Sequence, residues 1–176
     1  MTVLDLGGDA RAWRLAPVRP AHVILVNILP QQTGEDWMTA VVGDACDPGL
    51  ELPGADLVYS NSVIEHVGGH WRRQRFASAV RSFDRYWVQT PNRYFPVEPH
   101  FMIPWAQHLP LVARGRAIAR WPLGNYADQK DPARALENAL EIELLSATEM
   151  RFYFPDAEIL HERVLGMTKS FIALKR

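Results

Sequence analysis

Apolar residues fall in short blocks separated by turn-forming residues, and the spacing inside each block predicts its element. Thr2 to Leu6, Ala21 to Asn27, Trp37 to Val42, Ala55 to Tyr59 and Arg85 to Thr90 are too short for ordinary helices. Branched and aromatic side chains enrich them. Gly7-Gly8, Pro20, Pro30, Gly43-Asp44, Asp47-Pro48-Gly49 and Pro53-Gly54 punctuate them. They read as strands of a parallel sheet, whose central members are apolar on both faces. Between the later strands the period changes. Phe76, Val80 and Phe83 recur at four and three residues, which predicts a helix from about Trp71 to Phe83 with one buried face. Residues 10–16 allow a turn or two of helix before Pro17.

Pro91 to Pro99 is too rich in proline for a regular element. Residues 101–145 hold helical stretches broken at Pro104, Pro110, Pro122 and Pro132. The most regular, Ala133 to Leu145, places Leu136, Leu140 and Leu144 on one face. Ser146-Ala147-Thr148-Glu149 matches a capping box and starts a short helix to about Phe154. Ala157 to Leu165 and Ser170 to Lys175 read as strands, and the link Gly166-Met167-Thr168-Lys169 predicts an antiparallel hairpin. Strands alternating with helices or loops, then a hairpin, give a doubly wound α/β fold with a mostly parallel sheet of about seven strands. One domain, 1–176, accommodates it.

Composition narrows the function classes. Of 176 residues 48% are hydrophobic and 22% charged, and the net charge is −1. No strong field draws nucleic acid or an anionic membrane. The arginines at 72, 73, 75, 81 and 85 read as a solvated helix face. Cys46 is the single cysteine, so a disulfide framework or thiolate metal cluster has no ligands. No run is long enough to span a membrane. No signal-peptide pattern precedes Thr2, and the cytoplasm is the expected compartment.

In an open α/β sheet, ligands bind outside the carboxyl ends of the strands. The richest such end is Tyr59-Ser60-Asn61-Ser62-Val63-Ile64-Glu65-His66-Val67. It resembles the segment after the fourth strand of class I S-adenosylmethionine-dependent methyltransferases. Val3-Leu4-Asp5-Leu6-Gly7-Gly8 is similar to that family's first motif, and Gly43-Asp44-Ala45 to the turn after its third strand. Thr90-Pro91-Asn92, Phe95-Pro96, Glu98-Pro99-His100 and Phe154-Pro155-Asp156-Ala157 resemble a subgroup of bacterial members. The resemblance implies the strand order 3-2-1-4-5-7-6, with S-adenosylmethionine as cofactor. Two departures stand out. Asp9 and Arg11 occupy the positions of the family's second and third glycines, and Asn27 replaces its ribose-binding acid.

The resemblance assigns roles by position. Gly7 and Gly8 would let backbone approach the cofactor, and Asp5 would hold its ammonium group. Asn27 would take the ribose hydroxyls, by accepting one hydrogen bond and donating another. Asp44 would accept from the adenine amino group, beside the Ala45 N–H. Ser60 and Asn61 would face the ammonium, and Ile64 would pack near the adenine or sulfonium. Each residue also has a plainer reading. Asp5 to Gly7 can be a strand end with a tight turn, and Asn27 and Asp44 can be cap or turn residues.

His66, Glu98 and His100 are the candidate catalytic groups. An imidazole suits proton removal near neutral pH. His66 can equally be a helix-start residue bonded to backbone. Gly68-Gly69 interrupts the four-residue spacing of His66 and His70, so no metal site is assigned to that pair. Tyr94, Phe95, Phe101 and Trp105 would wall an acceptor pocket. Tyr126 and Lys130 carry a dehydrogenase-like spacing, but they lie in a loop and no dinucleotide glycine pattern follows the first strand. The expected activity is methyl transfer to a small-molecule or glycan-like acceptor, with oxygen slightly preferred. The alternatives are a non-catalytic cofactor-binding or regulatory module and, more remotely, an NAD(P)-dependent oxidoreductase. The oligomeric state is open. The first strand starts at residue 2, so the N-terminal cover found in the resembled enzymes is expected from elsewhere, or from residues 101–145.

Overall fold

The computed structural model describes residues 1–176. Strands β1 (Thr2–Leu6), β2 (His22–Asn27), β3 (Met38–Val42), β4 (Leu57–Asn61) and β5 (Tyr86–Pro91) pair in parallel. A two-stranded ribbon, β6 (Val97–Glu98) and β7 (Ile103–Pro104), follows outside the sheet. The hairpin β8 (Glu158–Val164) and β9 (Met167–Lys175) returns to it, with β9 antiparallel to β5. The seven-stranded order is β3-β2-β1-β4-β5-β9-β8, which is the order 3-2-1-4-5-7-6 that the family resemblance implies once the hairpin strands are counted sixth and seventh. No helix is long and apolar enough to cross a membrane.

The helices are α1 (Ala10–Leu15), α2 (His70–Arg81), α3 (Leu111–Arg120), α4 (Pro132–Glu141) and α5 (Ala147–Tyr153). Alternation along β1 sends Leu4 and Leu6 to one face and Val3 and Asp5 to the other. Leu4 and Leu6 join Val58 and Val88 under Phe76 and Val80 of α2 and Met150 of α5, forming the main core. Val3, Val23 and Leu25 pack on the opposite face with Ala10 and Trp13 of α1. Beyond α1 an aromatic row continues that face. Trp13 meets Tyr59 edge-on at 5.4 Å, and Tyr59 stacks on Trp87 at 4.8 Å.

Residues 97–144 contribute a third core of their own, built from Phe101, Ile103, Ile118, Ala135, Ala139 and Leu144. Here α3 and α4 cross closely because Gly115 has no side chain. A Cβ there would sit 3.3 Å from the Leu136 backbone. That contact corrects the predicted face of α4. Its small residues Ala135 and Ala139 face inward, and Leu140 is 61% exposed. Among the bonds that fasten this insert to the sheet, the Glu143 N–H donates to the Glu65 carbonyl and the Arg93 guanidinium to the Leu144 carbonyl. The Ser146 capping box forms with both of its bonds.

Two further expectations change. Arg73 does not belong to a solvated face. It is 3% exposed, and its guanidinium donates to the Glu143 carbonyl and carboxylate. The β8–β9 turn is tighter than the predicted four-residue link, since Val164 pairs with Met167. Leu165 and Gly166 take φ values of 51° and 81°, as a two-residue turn of mirror-image type requires. Leu165 is a branched residue in a conformation that costs about 1 kcal/mol, and at 92% exposure it packs on nothing that offsets it. Leu165→Asn should therefore raise stability by roughly 0.5–1 kcal/mol. Urea melts of the two proteins would show it, and an unchanged midpoint would mean that the turn carries no strain.

Candidate active site

The end of β1 is shaped by what its glycines avoid. Gly7 has φ 83°, and a Cβ there would lie 2.6 Å from a Val63 methyl group. Its N–H donates to the Val26 carbonyl. At Gly8 a Cβ would overlap the Asp5 carboxylate. The chain therefore folds back over Asp5 before α1. Asp9, in place of a second glycine, is the N-cap of α1 and accepts from the Arg11 N–H at 2.8 Å. Asn27 completes the turn from β2. Its amide nitrogen donates to the carbonyls of Gly7 and Gly8, and its oxygen accepts from the Leu29 N–H. An aspartate would repel both carbonyls. The amide at this position matches a loop held by side-chain hydrogen bonds where glycines usually shape it.

Two cavities share Gly7 as a wall. One, of about 220 Å³, is lined by Asn27, Asp44, Ala45, Val63 and His66. The other, of about 240 Å³, is lined by Asp5, Gly8, Trp13, Tyr59 and Asn61. Together they run along the carboxyl edge of β1, β2 and β4. In the second, Asp5 is 3% exposed. Its Oδ2 accepts from the Trp13 indole at 2.6 Å, and its Oδ1 has no partner. Burial pushes its pKa up to about 7, against the indole bond. In the first cavity, Asp44 accepts from the Cys46 N–H and pairs with Arg72 at 2.7 Å. Burial opposes its ionisation, but these bonds hold it below the ordinary carboxylate range. Cys46 is a buried thiol pushed by burial to about 11, which makes it packing material.

The segment after β4 divides its residues between core and site. Ser60 is buried and donates to the Leu6 carbonyl, tying β4 to β1. Ile64 lies wholly inside the main core and lines neither cavity. Ser62 turns the chain with φ 56°. Beside it, Glu65 is fully buried, with Oε2 accepting from the Thr90 hydroxyl and Oε1 unpartnered. His66 is exposed as a residue, yet its Nε2 lies 3.1 Å from the Nε2 of His100. His100 Nδ1 is 2.7 Å from a Glu98 oxygen, and the other Glu98 oxygen accepts from the Phe101 N–H. With its Nδ1–H donating to Glu98, His100 has a lone pair on Nε2, which accepts from the Nε2–H of His66. Partial withdrawal of the ring from water, then the neighbouring His100, lower the His66 pKa to about 4, so His66 is neutral at pH 7. Burial raises the pKa of Glu65.

The four predicted polar residues of this region thus split into Glu98, His100 and His66, which meet, and His70, which does not. His70 opens α2 and pairs with the Tyr153 hydroxyl at 3.1 Å. Glu65, which the sequence marks only as part of the segment after β4, joins the cluster. A third cavity, about 380 Å³, shares Ser62 with the first and is walled by Phe95, Val97, Met102 and Pro91. Of the predicted aromatic walls only Phe95 lines it. Tyr94 and Trp105 are exposed, and Phe101 is in the insert core. Its polar floor, Gln89 and Ser170, bonds to Glu162. These residues come from β5, β9 and β8, and no local sequence pattern links them. Tyr126 packs on Phe101, and the Lys130 ammonium donates to the Ala127 carbonyl, so each has a structural partner of its own.

Two outcomes test this description. Asn27→Ala should destabilise the ligand-free protein by about 1–3 kcal/mol, because Gly7 and Gly8 lose their donor. Chemical denaturation measures it. Asp5 gives a pH dependence of definite sign. Between about pH 4 and 7 the unfolded chain releases this proton while the folded chain keeps it, so its contribution to stability falls as pH rises and is level above 7. Asp5→Asn removes the buried charge. Its stability relative to wild type should climb through that window, with a ceiling of about 4 kcal/mol. Equal differences at pH 5 and pH 8 would show that Asp5 does not titrate there.

No protein-family model matches this sequence, and no curated protein matches it. Solved structures do resemble the fold. The methyltransferase domain of the bacterial CtHen1-CN superposes with a TM-score of 0.57 at 11% identity, over 98% of this chain and 88% of that one. The N-methyltransferase NodS from Bradyrhizobium japonicum WM9, in complex with S-adenosyl-L-homocysteine, gives 0.53 at 9% identity, over 98% and 76%. Magnesium protoporphyrin IX methyltransferase from Synechocystis PCC 6803, with S-adenosylhomocysteine bound, gives 0.53 at 13% identity, over 99% and 74%. The likeness is one of fold: this chain has the mostly parallel, hairpin-closed sheet of those methyltransferases.

Proposed function

We propose that this chain binds S-adenosylmethionine and transfers its methyl group to a small-molecule or glycan-like acceptor. The carrying observation is the pair of cavities joined at Gly7, with an unpartnered buried carboxylate oxygen, Asp5 Oδ1, in one of them. A zwitterionic tail with an ammonium group suits the Asp5 side, beside Gly8 and Asn61. The nucleoside suits the Asn27, Asp44 and Ala45 side. In that pose Asn27 would use the remaining lone pair of its oxygen toward a ribose hydroxyl, and Asp44 would share its carboxylate between Arg72 and the adenine amino group. Ser60 and Ile64 would act from behind, by holding the β4 end in place. Two of the fold neighbours carry the demethylated product of the same cofactor.

Methyl transfer needs the acceptor atom in line with the sulfonium at about 3 Å, so positioning supplies much of the rate. The third cavity adjoins the first at Ser62 and offers an apolar wall with a polar floor. The Glu98–His100–His66 chain lies beside the first cavity through His66. It is the group we place against the acceptor oxygen, to relieve it of its proton as the methyl arrives. Asn27 and Asp44 already spend most of their hydrogen bonds within the protein, which weighs against a tightly held nucleoside; the rival reading is a non-catalytic cofactor-binding or regulatory module.

S-adenosylmethionine and S-adenosylhomocysteine should each raise the melting temperature. At a hundred times Kd the native state gains about 2.7 kcal/mol. Because the ammonium needs an ionised partner, affinity should fall as pH drops below about 7, where Asp5 takes up its proton. Asp5→Asn should weaken cofactor binding while stabilising the ligand-free protein at pH 8. Thermal shift and calorimetry across pH read both effects. No shift with either ligand at millimolar concentration would end the cofactor assignment. Binding without turnover across an acceptor screen would favour the module.

A further inference from the structure

Three candidate ligand atoms, two from the turn after β4 and one from the insert, converge beside the first cavity. Glu65 Oε1, His66 Nε2 and His100 Nε2 all lie within 4.8 Å of one another. The two nitrogens are 3.1 Å apart, and His100 Nε2 is 3.9 Å from Glu65 Oε1. In a tetrahedral or octahedral site with bonds of about 2.1 Å, neighbouring ligand atoms are about 3.0–3.4 Å apart. One edge already has that length, and the others need small side-chain rotations.

We propose that Glu65, His66 and His100 hold a divalent first-row transition cation. Glu65 is fully buried and its Oε1 has no hydrogen-bond partner, while Thr90 holds the other oxygen. An orphaned carboxylate oxygen is expensive in a protein interior unless a cation meets it. Glu98 is 2% exposed, and neither it nor Glu65 has a lysine or arginine partner among the ion pairs of the structure. Glu65 and Glu98 flank one imidazole with no cationic side chain beside them, so a dication would supply the positive charge this pocket lacks. Glu98 also does what second carboxylates do around metal-ligating histidines. It accepts from the Nδ1–H of His100, which fixes the tautomer and aims the Nε2 lone pair inward. The Phe101 N–H in turn fixes Glu98.

The ligand types select the ion. Two imidazoles and one carboxylate suit zinc, manganese or ferrous iron, whereas magnesium and calcium prefer all-oxygen shells. Three protein ligands leave positions open, and His66 borders both solvent and the first cavity. Cation binding stands whether or not the chain moves a methyl group. Its meaning for the acceptor rests on the methyl-transfer reading. With a cation held there, both imidazole lone pairs would be engaged; the ion would supply a Lewis acid to an acceptor hydroxyl, whose proton would then leave to solvent water and not to His66.

The test uses the full chain, stripped with a chelator and titrated calorimetrically with zinc chloride and manganese chloride, with magnesium and calcium chlorides as controls. One equivalent of zinc or manganese should bind, with little heat from the controls. His66→Ala and His100→Ala should each lower affinity at least 100-fold, and Glu98→Gln about 10-fold to 100-fold. His66 is exposed, so its variant should fold, which circular dichroism checks. Cobalt substitution adds a spectroscopic readout, a visible absorption band that disappears in His66→Ala. If the folded wild type takes up no stoichiometric transition cation, or takes it up equally well in both histidine variants, the site does not exist. S-adenosylhomocysteine thermal shifts on the same samples separate the two readings. Cofactor binding without metal sinks only this inference, and metal binding without a cofactor shift sinks only the methyl-transfer assignment.

Discussion

The carboxyl edge of the sheet depends on the close approach of the Gly7 backbone to Val63. Any side chain at Gly7 would enter the Val63 methyl groups. This contact brings the turn after β1 against the segment after β4, and Gly7 walls the first two cavities. Asn27 holds the first turn from one side, and Ser60 ties the strands together beneath it. Val63 then leads directly to Glu65 and His66. A shift of this seam would move the cavity walls and the imidazole cluster together, because they are consecutive parts of one backbone path.

Much of the fold was legible because local patterns and global packing agree in it. Short apolar runs bounded by glycine and proline became strands, and β1, β2 and β4 are buried where the runs are unbroken. Ser146 and Glu149 form the capping box their spacing predicts. The failures occur where tertiary contacts override the local pattern. Arg73 reads as surface, yet the insert arrives over it and supplies Glu143 as a partner seventy positions away. Leu140 reads as core, yet α4 meets α3 across Gly115 and turns its alanines inward.

The same distinction runs through the candidate site. Gly7, Asp5, Asn27 and Asp44 were legible because each ends or follows a strand, and a parallel sheet gathers such ends on one edge. Their hydrogen bonds were not, since Trp13 and Arg72 carry no motif that links them to Asp5 and Asp44. Glu65 is adjacent to His66 in sequence and would be expected to point elsewhere. A turn through residues 64–66, closed by the His66 N–H on the Val63 carbonyl, lets both side chains converge on His100. Asn92 and Thr90, around the β5 end, set the path that returns His100 to them.

His100 and Glu98 belong to the insert, whereas Glu65 and His66 belong to the sheet. The insert has its own core, and its backbone bonds to the sheet are few. Such a unit can detach locally at a free-energy cost below that of global unfolding. The two imidazoles are thus the jaws of a latch across the seam between two cooperative units. Whatever engages both jaws raises the cost of detachment by its own binding free energy, and whatever detaches the insert releases it. The insert is in this sense a reporter of the site's occupancy, written in the exchange rates of its own amide hydrogens.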